Sequence, residues 1–251
     1  MNKNLFKKVD FLIIGAQKSG TTAFDSYLRD HYQVCMANKK EVHFFDKEPF
    51  SKNIISYMNY NYKYFKCNNS KMIKGETTPI YLYWDSVPKR IWEYNPNIKL
   101  ILILRNPIER AYSHWNMERQ RGKEKLSFMD ALFKEEHRAK KCLPFQDRDF
   151  SYIDRGFYTE QIRRYNKYFK TSNILIFKSE DLKNNPQEII DISCDFLNID
   201  KYKIQNPKTE HTRTYARKMD KKEKEYLKNI YEDEIRRLEK LLGWNCDDWL
   251  K

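Results

Sequence analysis

The chain has few glycines, six in 251 residues, and only five cysteines, and it lacks any long apolar run. Each absence excludes something. Neither a low-complexity linker nor a repeat of fixed period is present. The cysteines, Cys35, Cys67, Cys142, Cys194 and Cys246, are scattered without a CxxC pair. Their odd number argues against a disulfide framework, and Cys35 and Cys194 read as simply buried. No tight cluster of His, Cys and Asp has metal-ligand spacing, so no metal site is expected. Lysines precede apolar residues at the N-terminus, as in a signal peptide. The apolar run there is Phe11 to Ile14, too short for a secretory core or a membrane span. The expectation is a cytoplasmic chain without stable membrane insertion.

What is present describes a globular protein: 40% of residues are hydrophobic and 15% aromatic. The length suits one α/β domain with a real core, so residues 1–251 are expected to form a single domain. The net charge is +13. Basic residues cluster at Lys39-Lys40, at Arg138 with Lys140 and Lys141, and at Arg217-Lys218 with Lys221-Lys222. Such clusters are either solvated surface or a field that attracts nucleotides, acidic glycans, nucleic acid or anionic lipid. Charge alone does not choose among them.

Strands are expected at Val9–Ile14, Met72–Glu76, Lys99–Leu104 and Asn173–Phe177. Helices are expected at Gly20–Arg29, Val87–Tyr94, from Pro107 towards Gly122, and at Ser127–Arg138, Phe157–Phe169 and Pro186–Leu197. Asn106 and Pro107 open a helix as cap and first residue. Asp220 and Glu223 resemble a capping box, and Gly243 stops the helix that follows. This alternation predicts a parallel sheet with helices on both faces, whose ligands bind at the carboxyl ends of strands.

Three stretches stand out. In FLIIGAQKSGTTAFDSYL, residues 11–28, a strand runs into a loop and a helix. Gly15 and Gly20 permit close backbone approach. Amides of Ser19, Gly20, Thr21 and Thr22 would face an anion at the helix start, with threonine hydroxyls and Lys18 adding donors and charge. The ATP-type loop places lysine after its last glycine. Here Thr21 stands in that position and Lys18 lies inside the loop. In LRNPIERAYSHW, residues 104–115, Arg105 leaves a strand end and Ser113 lies two turns into the next helix, placed to share a second phosphate. In KKEVHFFD, residues 39–46, Glu41 and His43 are two apart. An extended chain would put them on one side, where a carboxylate and an imidazole can do acid–base work. Taken singly, the second and third stretches also suit a surface ion pair and a solvated pair beside a core anchor.

Together these stretches resemble the sulfotransferase family typified by the glycan sulfotransferases of heparan sulfate synthesis and their bacterial relatives. GAQKSGTT looks like the family's 5′-phosphosulfate loop, LILRNPIERAYSHW like its 3′-phosphate motif, and KKEVHFFD like the segment with its catalytic glutamate. GETTPIYL, RGFYTEQIRRY and HTRTYARKMD also have counterparts. The resemblance implies a P-loop-like sulfotransferase fold and the co-substrate 3′-phosphoadenylyl sulfate (PAPS). It implies that Lys18 meets the 5′-phosphate and the bridging oxygen of the leaving group, and that Ser19 to Thr22 wrap that phosphate. Arg105 and Ser113 would hold the 3′-phosphate, with Arg213 and Tyr215 as further contacts. Glu41 would take the acceptor's proton, supported by His43, without a required metal. The acceptor implied is a small molecule or glycan, not nucleic acid. The chain departs from the family at two places: many relatives read Glu-Lys before Thr-Pro or Ser-Pro, whereas this chain reads Glu76-Thr77-Thr78-Pro79, and the C-terminal HTRTYARKMD matches loosely. Two other readings remain at this level, a P-loop nucleotide kinase or NTPase and a non-catalytic binder of anionic glycan.

Overall fold

The computed structural model describes residues 6–205, 215 and 217–251. The elements are β1 (Phe11–Gly15), α1 (Thr21–Arg29), β2 (Val34–Met36), α2 (Ile54–Tyr64), β3 (Ile73–Thr77), α3 (Val87–Tyr94) and β4 (Lys99–Leu104). They continue with α4 (Pro107–Gln120), α5 (Phe128–Cys142), α6 (Tyr158–Asn166), β5 (Ile174–Lys178), α7 (Ser179–Asn184), α8 (Pro186–Leu197) and α9 (Lys221–Leu242). The chain gathers into two compact units. One runs through Leu104 and resumes at Arg164; the other holds Arg105–Arg163 and the C-terminal residues.

The first unit contains a five-stranded parallel sheet in the order β2-β3-β1-β4-β5. β1 is its central strand. Every residue from Phe11 to Ile14 is fully buried, which is why the sequence there is apolar without alternation. Phe11 and Ile13 pack with Phe24 and Leu28 of α1, with Leu182 of α7, and with Ile190 and Cys194 of α8. On the opposite face, a turn over Pro79–Leu82 and α3 close over the sheet, and the Val9 amide donates to the Tyr94 hydroxyl at 2.8 Å. Gly75 of β3 has a packing reason: a Cβ there would lie 2.0 Å from Phe11 Cζ. The expected α/β architecture, a parallel sheet with helices on both faces, is therefore present. β2, α2 and α7 are additions that the sequence pattern does not announce.

Cys35 of β2 is bonded to Cys67, which follows α2. This corrects the parity argument from the sequence. An odd count forbids complete pairing, not a single bridge, and the two partners are 32 residues apart in the chain. Cys194 is buried, as expected.

The second unit is helical. Asn106 caps α4 by accepting from the Ile108 amide at 2.9 Å, and its side-chain amide donates to the Trp249 carbonyl at 3.0 Å. Ser127 caps α5 by accepting from the Asp130 amide. Glu135 of α5 is buried and accepts from the amides of Ile153 and Asp154 at 2.7 and 2.8 Å. Burial outweighs those bonds and pushes its carboxyl up to about 7. The capping box of Asp220 and Glu223 opens α9, and Gly243, with φ of 68°, ends it.

Candidate active site

The chain leaves β1 at Gly15 and enters α1 at Thr21. The Ala16 amide donates to the Ile103 carbonyl of β4 at 2.7 Å, so the loop starts anchored to the sheet. Lys18 has φ of 73° and Gly20 has φ of 89°. For glycine this conformation carries no steric cost; for lysine it costs on the order of 1–3 kcal/mol, and such residues concentrate at functional sites. Gly20 is the N-cap of α1, and no side chain caps the helix. No acidic residue occupies its first turn. The positive end of the helix therefore faces out through backbone amides, an arrangement that favours an anion. Ser19 is fully buried, and its Oγ has no hydrogen-bond partner among the described residues. A buried hydroxyl so placed matches a phosphate oxygen. Thr21 is buried and Thr22 is exposed.

The third stretch, residues 39–46, forms a loop after β2. The extended geometry expected for Glu41 and His43 is not adopted. His43 has φ of 56°, and this left-handed turn, rather than strand alternation, brings the two side chains together. Glu41 Oε2 lies 3.5 Å from His43 Nε2, and Lys40 Nζ lies 3.5 Å from Glu41 Oε1. On its other side the His43 ring donates from Nδ1 to Asp46 Oδ2 at 2.9 Å. Asp46 is fully buried.

These partners decide the charges. The hydrogen bonds with Asp46 and then Glu41 push the His43 imidazole up to about 9 against the pull of burial, so at neutral pH it is an imidazolium. Burial alone would raise the Glu41 carboxyl, but the hydrogen bond from His43 and the charges of Lys40 and His43 hold it below its ordinary value. Glu41 is thus an ionised acceptor at neutral pH. Asp46 escaped the sequence reading, although its position three residues after His43 was a signal once the segment is seen as a turn. Thr77 is buried at the end of β3, and its Oγ1 has no hydrogen-bond partner among the described residues.

In the second unit, Arg105 precedes α4 and lies 3.6 Å from Glu109, with its side chain about three-quarters covered. Tyr158 donates to the Arg105 carbonyl at 2.9 Å. Ser113 is buried in α4. Tyr215 is stacked on Tyr112, with ring centroids 5.5 Å apart. Arg217 lies over the rings of Tyr112 and Trp115 and pairs with Glu223. Arg213 lies outside the described residues. Among the described residues no group of three or more His, Cys, Asp or Glu is placed to hold a metal ion, and no helix is long and apolar enough to cross a membrane.

The profile of the sulfotransferase domain matches residues 8–241. Heparan sulfate glucosamine 3-O-sulfotransferase 5 of Mus musculus is 30% identical over 190 residues, covering 75% of this chain and 53% of that protein. Membrane-associated sulfotransferase kil1 of Dictyostelium discoideum is 37% identical over 111 residues, covering 44% of this chain and 23% of that protein. The chain thus spans about half or less of these curated relatives. A crystal structure of a sulfotransferase from Alicyclobacillus acidocaldarius superposes with a TM-score of 0.84 at 25% identity, covering 98% of this chain and 100% of that one.

Proposed function

The chain belongs to the sulfotransferase domain family, and on that premise we propose that it transfers a sulfuryl group from PAPS to a hydroxyl or amine of a carbohydrate or glycoconjugate. The observation that carries this reading is the β1 loop: an uncapped helix N-terminus, a lysine in left-handed conformation, and a buried serine hydroxyl without a partner among the described residues. These features fit a phosphate. PAPS, when bound, supplies an activated sulfuryl group whose leaving group is a 5′-phosphate.

Ser19 to Thr22 are assigned to that phosphate, and Lys18 to the bridging oxygen, where negative charge grows as the bond breaks. A charge already in place there stabilises the transition state without reorganisation. Arg105 and Ser113 are assigned to the 3′-phosphate, with Arg213 and Tyr215 as further contacts. Glu41 is assigned the proton of the acceptor. As a carboxylate held below its ordinary range, it is a weak base but a strong hydrogen-bond acceptor. It orients the hydroxyl first and takes the proton late, as bonding to sulfur makes the hydroxyl acidic. His43 keeps Glu41 ionised and fixed. The one family match across both compact units supports treating them as a single catalytic domain.

The acceptor class follows from two supports. The relatives include enzymes named for heparan sulfate, and the net charge of +13 favours anionic partners. The kinase reading has Thr21 against it, where a phosphate-binding lysine belongs. The anionic-glycan binder explains the charge but not the loop. A cytoplasmic location has the Cys35–Cys67 bridge against it, since disulfides are rare in that compartment. The test is mass spectrometry of heparosan oligosaccharides incubated with the protein and PAPS. A mass gain of one sulfuryl group is expected. Intact PAPS and unmodified acceptors, with turnover of ATP instead, would overturn the reading.

A further inference from the structure

Glu76 has no part in the mechanism above, yet it is a fully buried carboxylate at the carboxyl end of the strand beside β1. Thr78 Oγ1 and Tyr81 Oη donate to its Oε1 at 2.6 and 2.8 Å, and Tyr60 Oη donates to its Oε2. A hydroxyl has one proton. Once Thr78 and Tyr81 have given theirs to Glu76, each can only accept elsewhere. Both do so from the same segment. Thr78 Oγ1 accepts the Val42 amide at 3.0 Å, and Tyr81 Oη accepts the Phe44 amide at 2.8 Å and the Phe45 amide at 3.3 Å. These amides bracket His43, whose left-handed backbone needs an external restraint to persist.

We propose that Glu76 is a positioning residue for sulfuryl transfer: by orienting the Thr78 and Tyr81 hydroxyls it fixes the 42–45 backbone, and so holds Glu41, His43 and Asp46 in register. This rests on the reading of Glu41 as the base. The polarity of the network is the core of the argument. A carboxylate only accepts, so it forces both hydroxyls to turn their lone pairs to the loop. Glutamine has nearly the same shape but brings an NH₂. Because Thr78 and Tyr81 share Oε1, glutamine can keep its carbonyl oxygen there and turn the NH₂ to Tyr60, whose hydroxyl then accepts, whereas an apolar side chain removes the acceptor that orients both hydroxyls. A residue serving packing alone would not need this polarity. A buried carboxylate is costly unless its hydrogen bonds are satisfied, and burial raises the Glu76 carboxyl despite three hydroxyl donors.

The test follows the His43 ring by NMR in wild type, Glu76→Leu, Thr78→Val and Thr78→Ser, alongside binding of 3′,5′-ADP. In wild type the ring is expected to titrate at about 9 because Asp46 and Glu41 are held against it. Thr78→Val and Glu76→Leu loosen that grip, and the titration should fall by about one pH unit or more towards the free-histidine value. Thr78→Ser keeps the hydroxyl and should titrate as wild type. Affinity for 3′,5′-ADP should change less than about twofold in every variant, because the phosphate loop does not use this network. If Glu76→Leu does not fold, Thr78→Val and Tyr81→Phe carry the test. An unmoved His43 titration in folded Thr78→Val and Tyr81→Phe would overturn the proposal. Failure of the sulfotransferase reading shows separately, as wild type that does not bind 3′,5′-ADP.

Discussion

The two candidate-site loops of the first unit are built on opposite plans. Each contains a non-glycine residue in left-handed conformation, Lys18 in one and His43 in the other. Among the described residues, Asn198, the C-cap of α8, is the third such residue. The loop after β1 is left unfinished: no side chain caps its helix and Ser19 Oγ is buried without a partner among the described residues. The loop after β2 is finished by the protein itself. Val42, Phe44 and Phe45 amides reach hydroxyls fixed by Glu76, and His43 lies between two carboxylates. Such a difference suits a division of labour. A loop that binds a charged ligand keeps donors in reserve for it, while a loop that moves a proton must hold its geometry before the substrate arrives.

The comparison breaks most sharply at Glu41. Glu41→Gln keeps the shape and removes the base, so turnover should fall about 10²–10⁴-fold while 3′,5′-ADP affinity stays unchanged. A fall below about tenfold, with chemistry shown to limit the rate, would mean that Glu41 is not the base.

Ser19→Ala sharpens the contrast. An unsatisfied buried hydroxyl costs the free protein about 1–3 kcal/mol, and a hydrogen bond to a charged group contributes about 1.5–3 kcal/mol. The variant should therefore be as stable as wild type or more so without ligand, yet bind 3′,5′-ADP more weakly. Unfolding and calorimetry measure the two halves. Lower stability with unchanged affinity would show that Ser19 belongs to the core and not to the ligand.

The smallest effect concerns pH. The His43 pKa is raised in the folded state, so the fold favours its protonated form. Its stabilising contribution is complete below the ordinary value of 6.5 and is lost as pH rises through about 9. The melting temperature of wild type minus that of His43→Gln should shrink across this window. A constant difference would show that the imidazolium is not part of the folded loop.

Legibility in the sequence follows the range of the interactions. β1, β4, the Asn106–Pro107 start of α4 and the Asp220 capping box were readable because each is decided within a few residues. β2 is three residues long and too short to show a period. In α2, Tyr60, Asn61 and Tyr64 are buried while Ile54, Ile55 and Tyr62 are exposed, so polarity misreports its inner face. The site motifs were legible as segments, but their wiring was not. Asp46 counts only once His43 turns left-handed, and Glu76 reaches the 42–45 backbone through Thr78 and Tyr81, across more than thirty residues of chain. The Cys35–Cys67 bridge joins equally distant positions.

The central claim is that the chain reads a nucleotide with a 3′-phosphate. Calorimetric titration of the intact protein with 3′,5′-ADP, set against ADP, tests it most directly. The prediction is tight binding of 3′,5′-ADP and much weaker binding of ADP, a preference that Arg105→Ala should reduce by about 1.5–3 kcal/mol. Equal affinity for the two nucleotides, or a preference for ADP, would contradict the account.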